Sequence, residues 1–398
     1  MKEALKKIDK TSLISIVTFA GFVISVMYHY SMSGWGYPYS TFLFRPWNRF
    51  NDYFMTINNG NSPYITGRPG SMFPLGHRII TVFNLVSPKV GLTVFLIGCA
   101  CAFLWITYKN VPIEDKATKY VNVFVLGLLS YPLLFVLDRG NFEALLFLFL
   151  YGFIRWYNRN VKLSILCLVV AIGMKVFPAI FLLLLLSDKK YKEAAAAVAL
   201  VIGLSFVSLL TFNGGLMEKV YWLLALLKNY NEIYLYRFEG TFFGHSLWGV
   251  IATIMFGAGH SAVELAANWY LVFVCVFFAG ISYYIVFIEK EYWKRVALLV
   301  FAMNLLPYIS GDYKLLHIFL PMFLFMNTGV PKRLDKLYAI LFGLLLIPKA
   351  YYHFPFTSTF VNFGFEANSA IILNPLLMLT FTIIIVVQGV RNKYHENF

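Results

Sequence analysis

The sequence predicts an all-α polytopic membrane protein, a bundle of about 11–13 transmembrane helices. Of its 398 residues, 60% are hydrophobic and only 13% are charged, whereas a soluble domain carries roughly 25% charged residues. Apolar runs near 20 residues, the length that crosses about 30 Å of hydrocarbon, recur along the chain. The basic residues cluster in short segments between these runs, a pattern that indicates membrane lipids, not nucleic acid, as partners.

The apolar runs predict one transmembrane domain over residues 1–398, because no repeat or flexible linker divides the chain. The first run lacks a small-residue cleavage site, so we expect an uncleaved span. The predicted spans lie at about 12–30, 89–108, 120–137, 141–155, 193–212, 268–288, 295–309, 313–329, 336–351 and 370–390. Three long outer loops, at about 31–88, 213–267 and 352–369, lie between them, and the second contains a predicted interfacial helix over about 218–230.

The charge distribution predicts the orientation. With a cytosolic N-terminus, the cytosolic segments hold 21 of the 33 lysines and arginines and the outer side holds the other 12. Cytosolic segments of membrane proteins are enriched in these residues, so we expect both termini in the cytosol. The short loops favour a bacterial inner membrane.

In this orientation successive spans must alternate in direction. They do so only if the apolar segment 162–187 returns to the side of the membrane from which it enters. Gly173–Pro178 interrupts the segment, and proline disfavours helix at the residue before it. We therefore expect two short helices that meet below the outer surface and line an outward-facing cavity. A full crossing by 246–258 would invert every later span. We therefore expect a short helix there that dips into the membrane without crossing it.

Polar motifs gather where spans begin or end on the predicted outer side. Ionisable groups at membrane depth are costly, so they are functional candidates. The motifs are Arg45–Tyr53, Asn59–Tyr64, Asp138–Asn141, Gly173–Pro178, Gly244–Trp248 and Ser310–Lys314, with His317 one turn later.

The order of these motifs carries a family resemblance. An aspartate after the first span, followed by Gly-x-x-Pro-Tyr, resembles the first outer loop of GT-C membrane glycosyltransferases. Arg-Gly-Asn at a helix start, Gly-x-Lys-x-x-Pro downstream, His-Ser-Leu and Asp-Tyr-Lys are together similar to glycosyltransferase family 87, the polyprenol-phosphate-mannose-dependent mannosyltransferases and their relatives. The resemblance covers about residues 12–330.

The resemblance implies a GT-C-like fold and a transfer reaction. A hexose, most simply mannose, would pass from a polyprenyl-phosphate donor to a lipid-linked or cell-envelope glycan on the outer face of the membrane. Asp52 matches the carboxylate that such enzymes use as the base for the acceptor hydroxyl. The alternatives for Asp52 are a solvated loop residue or a helix N-cap.

Four cationic or titratable side chains are candidates for the donor phosphate. Lys175 lies at the helix break, where a lone ammonium must find an anion; the alternatives are an ion pair with Asp138 or a side chain that reaches the surface. Arg139 shares the phosphate role or pairs with Asp138. Lys314 and His317 face one side of a helix and would contact a second phosphate oxygen, unless they form a network at the helix start.

The remaining candidates would contact the sugar or the acceptor. They are Tyr53, Tyr64, Asn141, His245, Ser246, Asp312 and Tyr313. No Asp-x-Asp pair occurs in 31–88, so we expect an enzyme that uses no metal and no other cofactor. Two other functions stay open: an O-antigen-type polymerase or ligase, and a transporter or flippase of lipid-linked glycans, which also uses broken helices.

Overall fold

The computed structural model describes residues 8–33, 49–60, 72–231, 244–255, 260–329, 332–349, 353–355 and 366–396. Its α-helices are α1 (Lys10–Ser33), α2 (Asn51–Asn58), α3 (Pro74–Ile80), α4 (Pro88–Asn110), α5 (Lys116–Leu128), α6 (Tyr131–Arg139), α7 (Glu143–Trp156), α8 (Val161–Met174), α9 (Leu182–Ser187), α10 (Tyr191–Leu210), α11 (Leu216–Asn231), α12 (Leu247–Ile254), α13 (His260–Phe287), α14 (Tyr292–Leu305), α15 (Phe319–Met326), α16 (Asp335–Leu346) and α17 (Ala370–Glu396). Three 3-10 helices are Thr81–Leu85, Phe177–Phe181 and Asp312–Ile318. Strands β1 (His353–Pro355) and β2 (Glu366–Asn368) pair antiparallel.

Long apolar helices form the outside of the bundle and short ones fill its interior. Among the described residues, five helices are long and apolar enough to cross a membrane: Lys10–Ser31, Pro88–Asn110, Tyr191–Leu210, Ser261–Phe287 and Ala370–Lys393. Less than half of the most apolar part of each is buried against protein. By contrast, α14 buries 12 of its 14 residues. The predicted class, an all-α polytopic membrane protein, is confirmed.

The predicted span at 120–137 is bent in the structure. α5 ends at Leu128, α6 begins at Tyr131, and the two helices meet at 48°. Pro132 lies in the first turn of α6, where its missing N–H costs no hydrogen bond. The predicted span at 120–137 therefore consists of two helices that meet at a bend beside Pro132. The bend directs α6 against the 3-10 helix Asp312–Ile318.

Polar contacts separate the bundle into two ends. At the first, which we call the Lys10 end, the ammonium of Lys10 donates to the carbonyl of Thr328 (2.6 Å) and lies 3.9 Å from Asp335. Lys332 pairs with Glu291 at the same end (2.9 Å). These residues belong to segments that the charge pattern assigns to one side of the membrane. At the opposite end, which we call the Asp52 end, lie the described residues of the polar motifs, among them Asp52, Asn141 and Lys175.

The segment 161–188 enters the bundle and returns to the end where it began, as predicted. α8 starts after Asn160, close to Tyr157, whose hydroxyl donates to the Asp188 carboxylate (2.9 Å) after the return. The hydroxyl also lies 2.9 Å from the carbonyl of Leu184. At the tip, Lys175 adopts an extended backbone that ends α8. The predicted helix within 246–258 is short, since α12 has only 8 residues, about 12 Å of rise.

Candidate active site

Asp52 is held by two residues from the turn between α6 and α7. One carboxylate oxygen of Asp52 accepts a hydrogen bond from the Arg139 guanidinium, and the other accepts from Nδ2 of Asn141 (2.7 Å). Gly140 makes this approach feasible, because it has a left-handed backbone (φ 60°) and an added Cβ would lie 2.9 Å from Cβ of Tyr53. The Asp52 side chain remains 23% exposed. It is therefore fixed in direction and still accessible.

A second contact anchors the start of α2 to the end of α6. The backbone N–H of Phe50 donates to the carbonyl of Asp138 (2.9 Å), and the Arg49 guanidinium lies 3.3 Å from the Asp138 carboxylate. Asp138 therefore pairs with Arg49. The alternative that Lys175 or Arg139 pairs with Asp138 is not what the structure shows.

Glu143 is the partner of Lys175. Its carboxylate is completely buried, with Oε2 2.5 Å from the Lys175 ammonium and Oε1 2.7 Å from Nε2 of His317. The Oδ1 atom of Asn141 accepts from the backbone N–H of Glu143 (2.9 Å), so one turn of chain fixes both Asp52 and the Lys175 pair. The sequence did not predict this role of Glu143. A carboxylate in the first turn of an apolar helix was the available signal.

A second ammonium lies beside this pair. The Lys314 ammonium is 4.1 Å from the centre of the Phe177 ring, and the Lys175 ammonium is 5.8 Å from the same centre. Lys175 also lies 4.9 Å from the Tyr313 ring. Two ammonium groups, of Lys175 and Lys314, thus lie near the one buried carboxylate of Glu143. The net charge of about +1 that results suits an anionic ligand. Lys175, Lys314 and His317, all predicted phosphate ligands, come together here.

A second buried polar centre surrounds Asp312. The Tyr131 hydroxyl donates to Oδ2 of Asp312 (2.6 Å), and Nε2 of His245 lies 3.4 Å from the same oxygen. The amide of Asn374 lies 3.3 Å from Nδ1 of His245. Lys349 is also buried, and its ammonium donates to the carbonyl of Ile347 (2.9 Å). Asp312 and His245 were predicted as site residues from the sequence. Tyr131, Lys349 and Asn374 were not, because they resemble ordinary residues at the ends of spans.

An apolar groove begins at Phe177, beside the two ammonium groups. Its volume is about 600 Å³. It extends along the returning arm of the hairpin to Leu186, and helices α13 and α14 form its other walls. Leu186 and Leu271, which line it, are 41% and 52% exposed, so the groove opens sideways on the surface of the bundle.

The sequence model of glycosyltransferase family 87 matches residues 74–308, more than half of the chain. The chain belongs to glycosyltransferase family 87. No curated protein and no solved structure matches it. Of the functions that the sequence leaves open, family membership supports the glycosyltransferase. Within the match lie Arg139, Asn141, Lys175 and His245, whereas Asp52 precedes it.

Several predicted ligands of this family 87 glycosyltransferase have other contacts in the structure. Arg139, expected at the phosphate, and Asn141, expected at the sugar, both contact Asp52. Ser246 caps α12 by accepting from the N–H of Gly249 (3.1 Å). Tyr53 is completely buried, and its ring stacks on Phe142 at 5.5 Å. Tyr64 lies outside the described residues.

The described part of the enzyme contains no group of three or more His, Cys, Asp or Glu side chains that could hold a metal ion. The expectation of a reaction without a metal therefore stays a prediction. Its basis is the sequence of the loop 31–88, in which no Asp-x-Asp pair occurs.

Proposed function

We propose that this family 87 enzyme transfers a hexose, mannose in the first instance, from a polyprenyl-phosphate sugar to a lipid-linked or cell-envelope glycan. The observation that carries the proposal is the continuity of the apolar groove with the Lys175 and Lys314 ammonium groups at Phe177. A ligand that fits both parts must combine a long apolar chain with an anionic head. A polyprenyl phosphate has this chemistry, and the charge surplus beside Phe177 suits the single negative charge of its sugar phosphodiester.

The transfer step follows from the positions of the charged groups. Asp52 takes the proton of the acceptor hydroxyl, whose oxygen forms the new bond to the anomeric carbon of the sugar. The bond from that carbon to the phosphate oxygen breaks, and its electron pair stays on the phosphate. Lys175 and Lys314 stabilise the added negative charge. In this scheme no metal ion takes part, and Arg139 and Asn141 position Asp52.

The proposal places the Asp52 end on the outer face of a bacterial inner membrane and both termini in the cytosol. Its support is the concentration of lysine and arginine in the segments of the Lys10 end. The acceptor would then be a glycan of the cell envelope, because that is the glycan within reach of Asp52.

Release of polyprenyl phosphate tests the donor class directly. Purified enzyme in lipid nanodiscs is incubated with mannosyl, glucosyl and galactosyl polyprenyl phosphates and with an extract of envelope glycolipids. We expect release of polyprenyl phosphate with one of these donors. Transfer of sugar to the glycolipids from a nucleotide sugar, and from none of the three polyprenyl-phosphate donors, would refute the proposal.

A groove variant tests the site of the lipid chain. Ala179 lines the groove, so Ala179→Phe should slow turnover of the full-length polyprenyl donor and preserve turnover of a donor with a two-isoprene chain. The matched control is Ala279→Phe, because Ala279 is exposed on α13 and does not line the groove. Equal loss of turnover with both donors would show that the groove does not bind the lipid chain.

A further inference from the structure

The buried centre around Asp312 contains polar atoms that lack partners. Oδ1 of Asp312 and Oδ1 of Asn374 have no hydrogen-bond partner within the described residues, and the same holds for the Ser310 hydroxyl. All three residues are at most 2% exposed. A buried polar group without a partner costs stability, so native structures rarely retain such groups without a ligand or water. Here three of them lie in one place.

Chain segments from distant parts of the sequence build this centre. Tyr131 comes from α6, His245 from the turn before α12, Asp312 from its 3-10 helix and Asn374 from α17. Lys349 interacts electrostatically with Asp312 and with His245. Its ammonium donates to one backbone carbonyl, which leaves two of its three donors for another group.

The charges of the centre indicate a neutral ligand. Lys349 and Asp312 carry opposite charges that balance. The acceptors of Asp312 and Asn374 and the donors of Lys349 match hydroxyl groups, since a hydroxyl both donates and accepts. The Lys175 and Lys314 site differs, because its cations outnumber its carboxylate. One site therefore suits a phosphate and the other suits a polyol.

The two sites are also adjacent. Asp312 and Lys314 lie two residues apart on one 3-10 helix, a rise of about 4 Å. In a sugar phosphate the ring is joined directly to the phosphate. A ligand with its phosphate at Lys314 therefore has its ring within reach of Asp312.

We propose that Asp312, Lys349 and Asn374 form the pocket that recognises the hydroxyl groups of the donor hexose, and that Lys349 and Asn374 determine which hexose is accepted. This inference rests on the proposed function, because it takes the donor to be a polyprenyl-phosphate sugar. Tyr131 and His245 orient the Asp312 carboxylate.

Binding of two lipids tests the pocket: polyprenyl phosphate without a sugar, and mannosyl polyprenyl phosphate. Asn374→Leu and Lys349→Met should weaken binding of the mannosyl lipid about 5- to 100-fold and change binding of the sugar-free lipid less than about 2-fold. Lys349→Arg should recover part of the loss, since it keeps the charge. The control is Thr382→Val on α17, where the hydroxyl bonds only its own helix at Met378 (2.9 Å).

Each result has one meaning. Equal losses for both lipids, or no loss for either, would overturn the pocket, provided that the Asn374→Leu protein melts as the wild type does. If Lys349→Met fails to fold, Asn374→Leu alone decides. A wild type that binds polyprenyl phosphate but gains no affinity from an attached mannose, glucose or galactose refutes the pocket and leaves the lipid-phosphate site intact. A wild type that binds neither lipid refutes the proposed function and the pocket together.

Discussion

The pairing of Lys175 with Glu143 predicts an asymmetric response to charge removal. Lys175→Met leaves the Glu143 carboxylate buried without its ammonium, and breaking a buried pair from one side typically costs 3–5 kcal/mol. Glu143 keeps its contact with His317 (2.7 Å), so we expect a loss near the lower limit, about 3 kcal/mol. In the double variant Lys175→Met, Glu143→Gln no carboxylate is left buried without its ammonium. Most of the lost free energy of unfolding should therefore return.

Equilibrium unfolding in detergent, followed by tryptophan fluorescence, measures these free energies. Lys314→Met is the matched control, because the Lys314 ammonium is buried beside Phe177 but hydrogen-bonds a backbone carbonyl at 3.4 Å, not a carboxylate. That variant should lose less than about 1 kcal/mol. A double variant no more stable than Lys175→Met would refute the reasoning, and so would an undiminished stability of Lys175→Met itself.

Four other predictions follow from the same contacts. Asp52→Asn should lower turnover about 10²- to 10⁴-fold with donor binding retained. The control Glu264→Gln, on the exposed side of α13, should turn over at nearly the wild-type rate. Normal turnover of Asp52→Asn would exclude Asp52 as the base. Asn141→Leu should lower kcat about 10-fold or more through misplacement of Asp52 at unchanged donor affinity, and a pure affinity loss would contradict that role. Burial raises the pKa of Glu291, but hydrogen bonds from two neighbouring lysines outweigh it and hold the pKa below its usual value. Glu291→Gln should therefore reduce stability above about pH 4.3, and the difference from wild type should vanish as acid protonates Glu291; a difference independent of pH in melting curves would count against it. Lys190→Cys, in a background without other cysteines, should react with an impermeant thiol reagent only after the cells are opened. Labelling in intact cells would show that the orientation is opposite to the predicted one.

Local sequence signals predicted the elements, and long-range partners escaped them. Unbroken apolar runs predicted the long helices, and the Lys175 to Pro178 interruption predicted the returning hairpin because proline acts on its own neighbours. Glu143 lies 32 residues from Lys175 and 174 from His317. No local pattern encodes such a meeting. Lys349 escaped for a similar reason, since a single lysine after an apolar run is also typical of a membrane boundary.

The gathering of Asp52, Arg139 and Asn141 was predicted only in part. The motif Asp-Arg-Gly-Asn suggested ligands for a substrate, whereas the structure directs its arginine and asparagine to the carboxylate of another loop. The left-handed glycine between them brings both side chains to one side of the turn. A sequence shows which groups are available, but their direction depends on the packing of α2 against that turn.

The sideways opening of the groove has a kinetic consequence. A lipid that enters between α9 and α13 need never leave the hydrocarbon, so its encounter with the enzyme is a two-dimensional search within one leaflet. The quantity that governs the rate is then the mole fraction of donor among the membrane lipids and not its amount per volume of suspension. Dilution of the bilayer with inert phospholipid should slow the enzyme, while dilution of the vesicles in buffer should leave each turnover unchanged.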